Sequence, residues 1–168
     1  MTPSERRLAI LIRIVGTLSV LAIVAVFMSR GWIDWCHEML GLGPFPKAPV
    51  AEYLARSTSM FYVVLGVVHW LLSLDVRRYA RAITLAGLLM ILGGITLVSI
   101  DVRTAMPWWW IGGEGPFVVV LGIAYLVLQL KARAERRAAA KRDAAAKGAA
   151  AAKGDKAVTP KDAPSAGA

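Results

Sequence analysis

The chain has 168 residues, of which 57% are hydrophobic, and its formal net charge is +9. Soluble domains are typically about 45–50% apolar, so this composition, with a mean hydropathy of +0.57, argues against an ordinary soluble domain. The single cysteine, Cys36, excludes an intramolecular disulfide, covalent haem attachment through CxxCH and paired-cysteine zinc spacing, and we expect no cofactor and no metal.

Residues 8–28 form the first of four apolar blocks. A bilayer core about 30 Å thick requires ~20 mostly apolar helical residues, and this block is long enough. No small-x-small cleavage site follows it, so we interpret it as a retained membrane anchor. Arg13 lies near its start, where an intramembrane cation either has a function or extends along the helix to the membrane surface.

Residues 30–41, RGWIDWCHEMLG, place Trp32, Trp35 and Cys36 on one helical face. This pattern predicts a short amphipathic helix at the outer membrane surface. The prolines and glycines of residues 41–50 predict a loop after it.

The second and third blocks cover residues 57–74 and 82–100, and the short DVRRYAR segment between them predicts an antiparallel hairpin. Just before the second block, Glu52 and Arg56 are spaced to pair on one helical face. Within the second block lies His69, which either has a function or is neutral and hydrogen-bonded to a neighbour. The small residues of the third block allow close helix packing.

The fourth block, which we place at residues 110–130, overlaps the segment AMPWWWIGGEGP. Its three consecutive tryptophans suit an aromatic belt at the membrane surface, or a stacking platform for a ligand or headgroup. Glu114, two residues before Pro116, suits the first turn of a helix, where an acid complements the helix dipole.

Lysine and arginine are unevenly divided between the two sides of this arrangement. If the N-terminus is cytoplasmic, eleven lysine and arginine residues up to residue 142 lie on the cytoplasmic side and four lie in the outer loops. The positive-inside rule then places both termini in the cytoplasm of a bacterial cell, with the four helices crossing its inner membrane. The predicted outer belt consists of Trp32, Trp35, Trp108, Trp109 and Trp110.

This topology brings several charged residues to the outer side. We predict a polar cluster there, roofed by the tryptophans, as the main candidate site. Its members are Glu52, Arg56, Asp101, Arg103 and Glu114.

Residues 131–168 form a basic tail rich in alanine and lysine. Strong helix formers predict that the fourth helix continues to about residue 147, and low complexity predicts disorder after that. The tail suits anionic lipid, whereas the lack of interleaved aromatic residues argues against nucleic acid.

The stretches YLARSTSMFYVVLGVVHWLLSLDVRRYARAI and SIDVRTAMPWWWIGGEGP carry a resemblance to known proteins. Through them, roughly residues 50–130 resemble a group of uncharacterised bacterial four-helix inner-membrane proteins that is weakly similar to the DoxX-like families. The DoxX-like group is associated with membrane redox or quinone-linked complexes, which this resemblance implies as a context. It implies no particular catalytic residues.

Three functions are compatible with these patterns. The first is a non-enzymatic accessory or assembly component of the membrane, because no motif meets the requirements of a catalytic site. The second is a small-substrate transporter or binder that uses Arg13 and His69, and the third is a redox or quinone-site subunit that uses the outer cluster around Glu114 and Arg103. The bilayer is the certain partner in all three, and a membrane-protein partner or a homo-oligomer is open.

Overall fold

A computed structural model describes the backbone of residues 1–157 and the side chains of residues 1–150. Over this range the chain is helical without strands. The helices are α1 (Pro3–Val20), α2 (Ile23–Phe27), α3 (Arg30–Met39), α4 (Pro49–Leu74), α5 (Ala80–Arg103) and α6 (Trp108–Ala157). Four segments are long and apolar enough to cross a membrane, namely α1 with α2, α4, α5 and the part of α6 up to Ala150. The predicted all-α fold with four candidate spans is confirmed.

Most helix ends follow from local chemistry. α1 begins with a capping box, in which the Thr2 hydroxyl accepts from the Glu5 N–H and the Glu5 carboxylate accepts from the Thr2 N–H. α4 begins at Pro49. Proline suits this position because the backbone N–H groups of the first turn have no partner within the helix, so the N–H that proline lacks is not missed. Asp75 ends α4, the short turn predicted between α4 and α5 is present, and so is the short helix α3. The predicted packing of α4 and α5 as a hairpin is wrong, because α4 packs against α1 and α5 packs against α6.

α6 differs most from its prediction. It begins at Trp108 and includes Pro116, so Glu114 lies inside the helix, and its predicted place in the first turn is wrong. The predicted end near residue 147 is also too early, because α6 continues to Ala157. Alanine and lysine are strong helix formers and outweigh the glycines of this stretch. The disorder predicted for residues 158–168 lies outside the described residues.

Glycine allows the helices to pack in two pairs, α1 with α4 and α5 with α6. A Cβ added to Gly94 would lie 2.6 Å from the Gly115 carbonyl oxygen, and one added to Gly115 would lie 2.7 Å from the Gly94 carbonyl oxygen. Both distances are far inside van der Waals contact. The α5 and α6 backbones therefore touch at a point where no other residue type fits.

The same arrangement recurs in the other pair. A Cβ on Gly16 of α1 would lie 2.9 Å from the Gly66 carbonyl oxygen, and the reverse distance is 2.7 Å. Close packing by small residues, predicted for the third block, is therefore confirmed at Gly94. It does not extend to the adjacent Gly93, where an added Cβ has open space.

The two pairs are joined mainly by α1 and α6. We call the end of the bundle that carries Pro3, the 75–79 turn and Lys131 the tail end, and the end that carries α3 and the 104–107 turn the loop end. The buried core lies towards the tail end and contains Leu8, Ile12, Leu72, Val76, Ile83 and Tyr125.

Outside this core, large apolar side chains cover the surface of the bundle. Phe61 is 71% exposed and Leu92 is 63% exposed. A soluble protein rarely exposes so continuous an apolar surface. The surface is therefore compatible with a multi-pass membrane protein.

The contact between Gly94 of α5 and Gly115 of α6 gives a test in which alanine substitutions at two adjacent residues should change the free energy of unfolding differently. We expect Gly94→Ala to destabilise the protein, because overpacking at a tight contact typically costs about 1–3 kcal/mol. We expect Gly93→Ala to be neutral or to stabilise it by up to ~1 kcal/mol, because alanine is the better helix former. Unfolding in mild detergent, followed by circular dichroism, measures both. Equal effects of the two substitutions would contradict the packing described here.

Candidate functional site

One of the larger cavities of the described bundle is a cleft between the two helix pairs. Its volume is about 550 Å³, within the range of about 300–1,000 Å³ that small-molecule sites occupy. All four long helices contribute to it, through Leu18 of α1, Leu65 of α4, Met90 of α5 and Phe117 of α6, among others. The cleft therefore exists only in the assembled bundle.

The lining of the cleft is almost wholly apolar. Its polar side chains are Ser19, Tyr62 and His69, and no charged side chain lines it. Its floor is the buried core, because Leu11, Val15 and Met90 line the cleft and also pack against that core. The site is suited to a lipophilic molecule with a small, neutral polar group.

His69 is the most polar group of the lining. Its Nδ1 lies 2.7 Å from the Leu65 carbonyl oxygen, one helical turn earlier. Its Nε2 is buried and has no hydrogen-bond partner among the described residues. Buried polar atoms in proteins are rarely left unpaired, so this atom is a candidate acceptor for a bound group.

Tyr125 of α6 lies beside His69. The two rings are 6.1 Å apart between centroids and meet edge to face. Tyr125 is fully buried, and its hydroxyl also lacks a partner among the described residues. Two unpaired polar atoms of complementary type therefore belong to neighbouring rings, of which His69 lines the cleft and Tyr125 lies in the buried core beneath it.

Arg13, the second predicted intramembrane residue, takes part in a different contact. Its Nε donates to the Ser73 hydroxyl at 3.2 Å, and its guanidinium lies 5.9 Å from the centroid of the Trp70 ring. Both partners are on α4, so Arg13 helps to join α1 to α4. The structure does not place it with His69 in the lining of the cleft.

Two of the five residues of the predicted outer cluster form a structural contact at the loop end. Arg56 donates to Glu52 at 2.8 Å and to the Met28 carbonyl oxygen at 2.9 Å, and it also bonds the Val26 carbonyl. Arg30 lies 3.5 Å from the same Glu52 carboxylate. Arg56 thus satisfies the last carbonyls of α2, as a cation at a helix C-terminus should.

The other three residues lie apart from this contact. Glu114 accepts a hydrogen bond from the Trp110 indole at 2.5 Å. Asp101 is buried, with one carboxylate oxygen unpartnered, and Arg103 is exposed. Within the described residues, no hydrogen bond or ion pair joins these three to Glu52 and Arg56. The predicted five-residue cluster is therefore not a single connected site.

The tryptophans predicted to form the belt all lie at the loop end. Trp32 and Trp35 meet edge to face on α3, as do Trp109 and Trp110 at the start of α6. Trp108 is the most exposed of them, at 82%. Trp110 differs from the other four tryptophans because it also lines a second cavity beneath α3, together with Cys36 and His37. The belt itself stays a prediction.

The tail end contains a charged contact that sequence analysis missed. Glu5 is 1% exposed, although it is charged. Its carboxylate accepts two hydrogen bonds from Arg77, at 2.7 and 2.9 Å, and a third from Arg136 at 3.0 Å. Next to it, the Ser4 hydroxyl donates to Glu135 at 2.5 Å. The contact links α1, the 75–79 turn and α6.

One signal for Glu5 was present in the sequence. Thr2 and Glu5 have the T-x-x-E spacing of a capping box before an apolar run. No local signal pairs Glu5 with arginines that are 72 and 131 positions away in the chain.

The hydrogen bond to Glu5, and then its charge, raises the pKa of Arg77 above its ordinary value, so Arg77 stays charged at any physiological pH.

The described residues contain no metal centre, and the chain has no match that assigns a function. Among the residues that the structure describes, no group of three or more His, Cys, Asp or Glu side chains is placed to hold a metal ion. Comparison of the chain with protein-family models, curated proteins and solved structures finds no match. The resemblance to DoxX-like proteins therefore stays a prediction, and any function must be argued from the cleft.

The Glu5 contact gives a second test. We expect Glu5→Gln to destabilise the protein by about 1–3 kcal/mol, because it weakens several charge-assisted hydrogen bonds to a buried group. The matched control is Glu38→Gln on α3, since Glu38 is exposed and has no ion pair among the described residues. Detergent unfolding of both variants measures the difference. If Glu5→Gln is as harmless as Glu38→Gln, the contact does not hold the tail end together.

Proposed function

We propose that this protein is a non-enzymatic accessory component of the membrane that binds a small lipophilic molecule in the cleft between its two helix pairs. The observation that carries the proposal is the cleft itself, a cavity of about 550 Å³ lined by all four long helices. Lipophilic ligands are typically held in concave, mostly apolar sites with a few convergent polar groups. The lining of this cleft has that composition.

We also propose that the protein crosses the cytoplasmic (inner) membrane of a bacterium four times, with the tail end in the cytoplasm. The excess of lysine and arginine at the tail end supports this orientation. Under it, α6 continues beyond Lys131 away from the membrane, and the basic residues nearest the cytoplasmic surface are attracted by anionic lipid. The loop end, with its tryptophans, then faces the outside.

The two other functions predicted from the sequence have less support. A transport path through Arg13 and His69 is not favoured, because Arg13 bonds Ser73 and lies over Trp70 rather than in the cleft. A redox site around Glu114 and Arg103 is not favoured either, because Glu114 bonds Trp110 and Arg103 is exposed. Binding in the cleft requires neither arrangement, and it is compatible with the protein serving a larger membrane complex.

Two valines on α6 allow a matched test of the proposal. Val118 lines the cleft, whereas Val120 is 61% exposed on the outer surface of the bundle. We expect Val118→Phe to obstruct the cleft and weaken binding strongly, and Val120→Phe to leave binding unchanged. Native mass spectrometry of the protein, extracted from its own membranes in mild detergent, measures the bound small molecules directly.

The expected result is a bound lipophilic mass on the unaltered protein and on Val120→Phe, with loss of most of it on Val118→Phe. Detergent unfolding shows whether both variants keep the fold. If the unaltered protein carries no bound small molecule, or if folded Val118→Phe carries the same one, the proposal is wrong.

A further inference from the structure

We infer that the cleft selects a lipophilic molecule with a neutral hydroxyl group, which donates its hydrogen bond to Nε2 of His69. This inference rests on the proposed function and adds the chemical class of the ligand. It depends on the protonation of one imidazole ring and on the unpaired hydroxyl beside it. The ligand class is a lipophilic alcohol or phenol.

The first step concerns the His69 ring. A carbonyl oxygen can only accept a hydrogen bond. Nδ1 lies 2.7 Å from the Leu65 carbonyl oxygen, so Nδ1 must carry the proton that is donated there. A charged imidazole in an apolar cleft would need a counter-charge, and no charged side chain lines the cleft. In the tautomer that carries its proton on Nδ1, Nε2 has a lone pair that can only accept.

The second step concerns what can satisfy that lone pair. Nε2 is buried and unpartnered among the described residues, so a ligand group that meets it must be a donor. A ketone or an ether presents only lone pairs and would leave Nε2 unpaired. An alcohol or a phenol presents the proton that Nε2 requires.

The third step concerns Tyr125. Its ring lies 6.1 Å from that of His69, and its buried hydroxyl is also unpartnered. A ligand hydroxyl can donate one hydrogen bond and accept another. In the inferred complex, one hydroxyl therefore donates to His69 and accepts from Tyr125, which belongs to the buried core beneath the cleft and not to its lining. An ammonium or a carboxylate would satisfy only one of them and would enter without a counter-charge.

The test compares a phenol with its methyl ether, in which a methyl group replaces the hydrogen that the phenol donates. The full-length protein is placed in nanodiscs of phosphatidylcholine, a lipid without a hydroxyl group, and receives either 4-nonylphenol or its methyl ether, 4-nonylanisole. The His37→Gln background leaves His69 as the one histidine, so ¹⁵N NMR of labelled protein reports the Nε2 atom directly. Folded Val118→Phe serves as the blocked control, which separates binding in the cleft from partition into the lipid.

We expect the phenol to bind the unblocked protein about tenfold more tightly than the ether, as one well-made hydrogen bond predicts. We also expect the phenol, and not the ether, to shift the Nε2 resonance towards a hydrogen-bonded imidazole. In a separate arm, dioleoylglycerol in the nanodisc distinguishes a hydroxyl-bearing membrane lipid from a free amphiphile as the source of the hydroxyl. A shift with dioleoylglycerol assigns the site to a lipid, and a shift with the phenol alone assigns it to a free molecule.

The outcomes separate the two proposals. If both probes bind in the cleft with equal affinity and neither shifts the Nε2 resonance, the inferred preference for a hydroxyl group is wrong. The proposal that the cleft binds lipophilic molecules then still holds. If neither probe nor dioleoylglycerol binds more to the unblocked protein than to Val118→Phe, both proposals are wrong.

Two variants complete the test. Tyr125→Phe removes one hydroxyl from the buried pair and should reduce the preference for the phenol, without loss of stability in the absence of ligand. His69→Phe should abolish the preference altogether. If His69→Phe fails to fold, Tyr125→Phe and the Nε2 resonance still decide the question. An undiminished preference in folded His69→Phe would overturn the inference.

Discussion

The direct contact of helix backbones at glycine is the constraint on which this structure depends. Lipid chains are as apolar as leucine side chains, so the hydrophobic effect does little to hold one membrane helix against another. Dispersion contacts and hydrogen bonds between helices must do so instead. Gly16 with Gly66, and Gly94 with Gly115, bring the backbones within the distance at which those contacts are dense. The division into two helix pairs follows from where these glycines lie.

The cleft is a consequence of the same division. Each pair is tightly packed within itself, and the two pairs are joined mainly by α1 and α6. The buried core and the contact of Glu5 with Arg77 and Arg136 close the tail end. Nearer the loop end, the pairs separate enough to leave the cavity that contains His69. A bundle packed evenly along all four helices would have no such space.

The charged residues divide by what they contact. Arg56 satisfies the carbonyls at the end of α2, and Arg13 joins α1 to α4. Glu5 links three segments of the chain at the tail end. These charges are engaged in holding the fold, whereas the polar atoms left unpaired near the cleft among the described residues belong to the rings of His69 and Tyr125. In so apolar a site, one hydrogen-bond donor or acceptor decides which ligand fits.

The sequence by itself determined the all-α class, the four apolar blocks and the short turn between α4 and α5, because hydrophobic length and turn composition are local properties. It also indicated His69 as unusual, since an ionisable residue within an apolar block is costly wherever it lies. It misplaced Glu114 and the end of α6, because the strength of a helix depends on the sum of many weak preferences that single residues such as Pro116 or Gly148 do not settle. Only the tertiary structure decided that Gly94 packs while Gly93 does not, that the outer charges lie apart, and that Glu5 meets two arginines. Each of these depends on which faces of distant helices meet, and no local pattern in one chain specifies that.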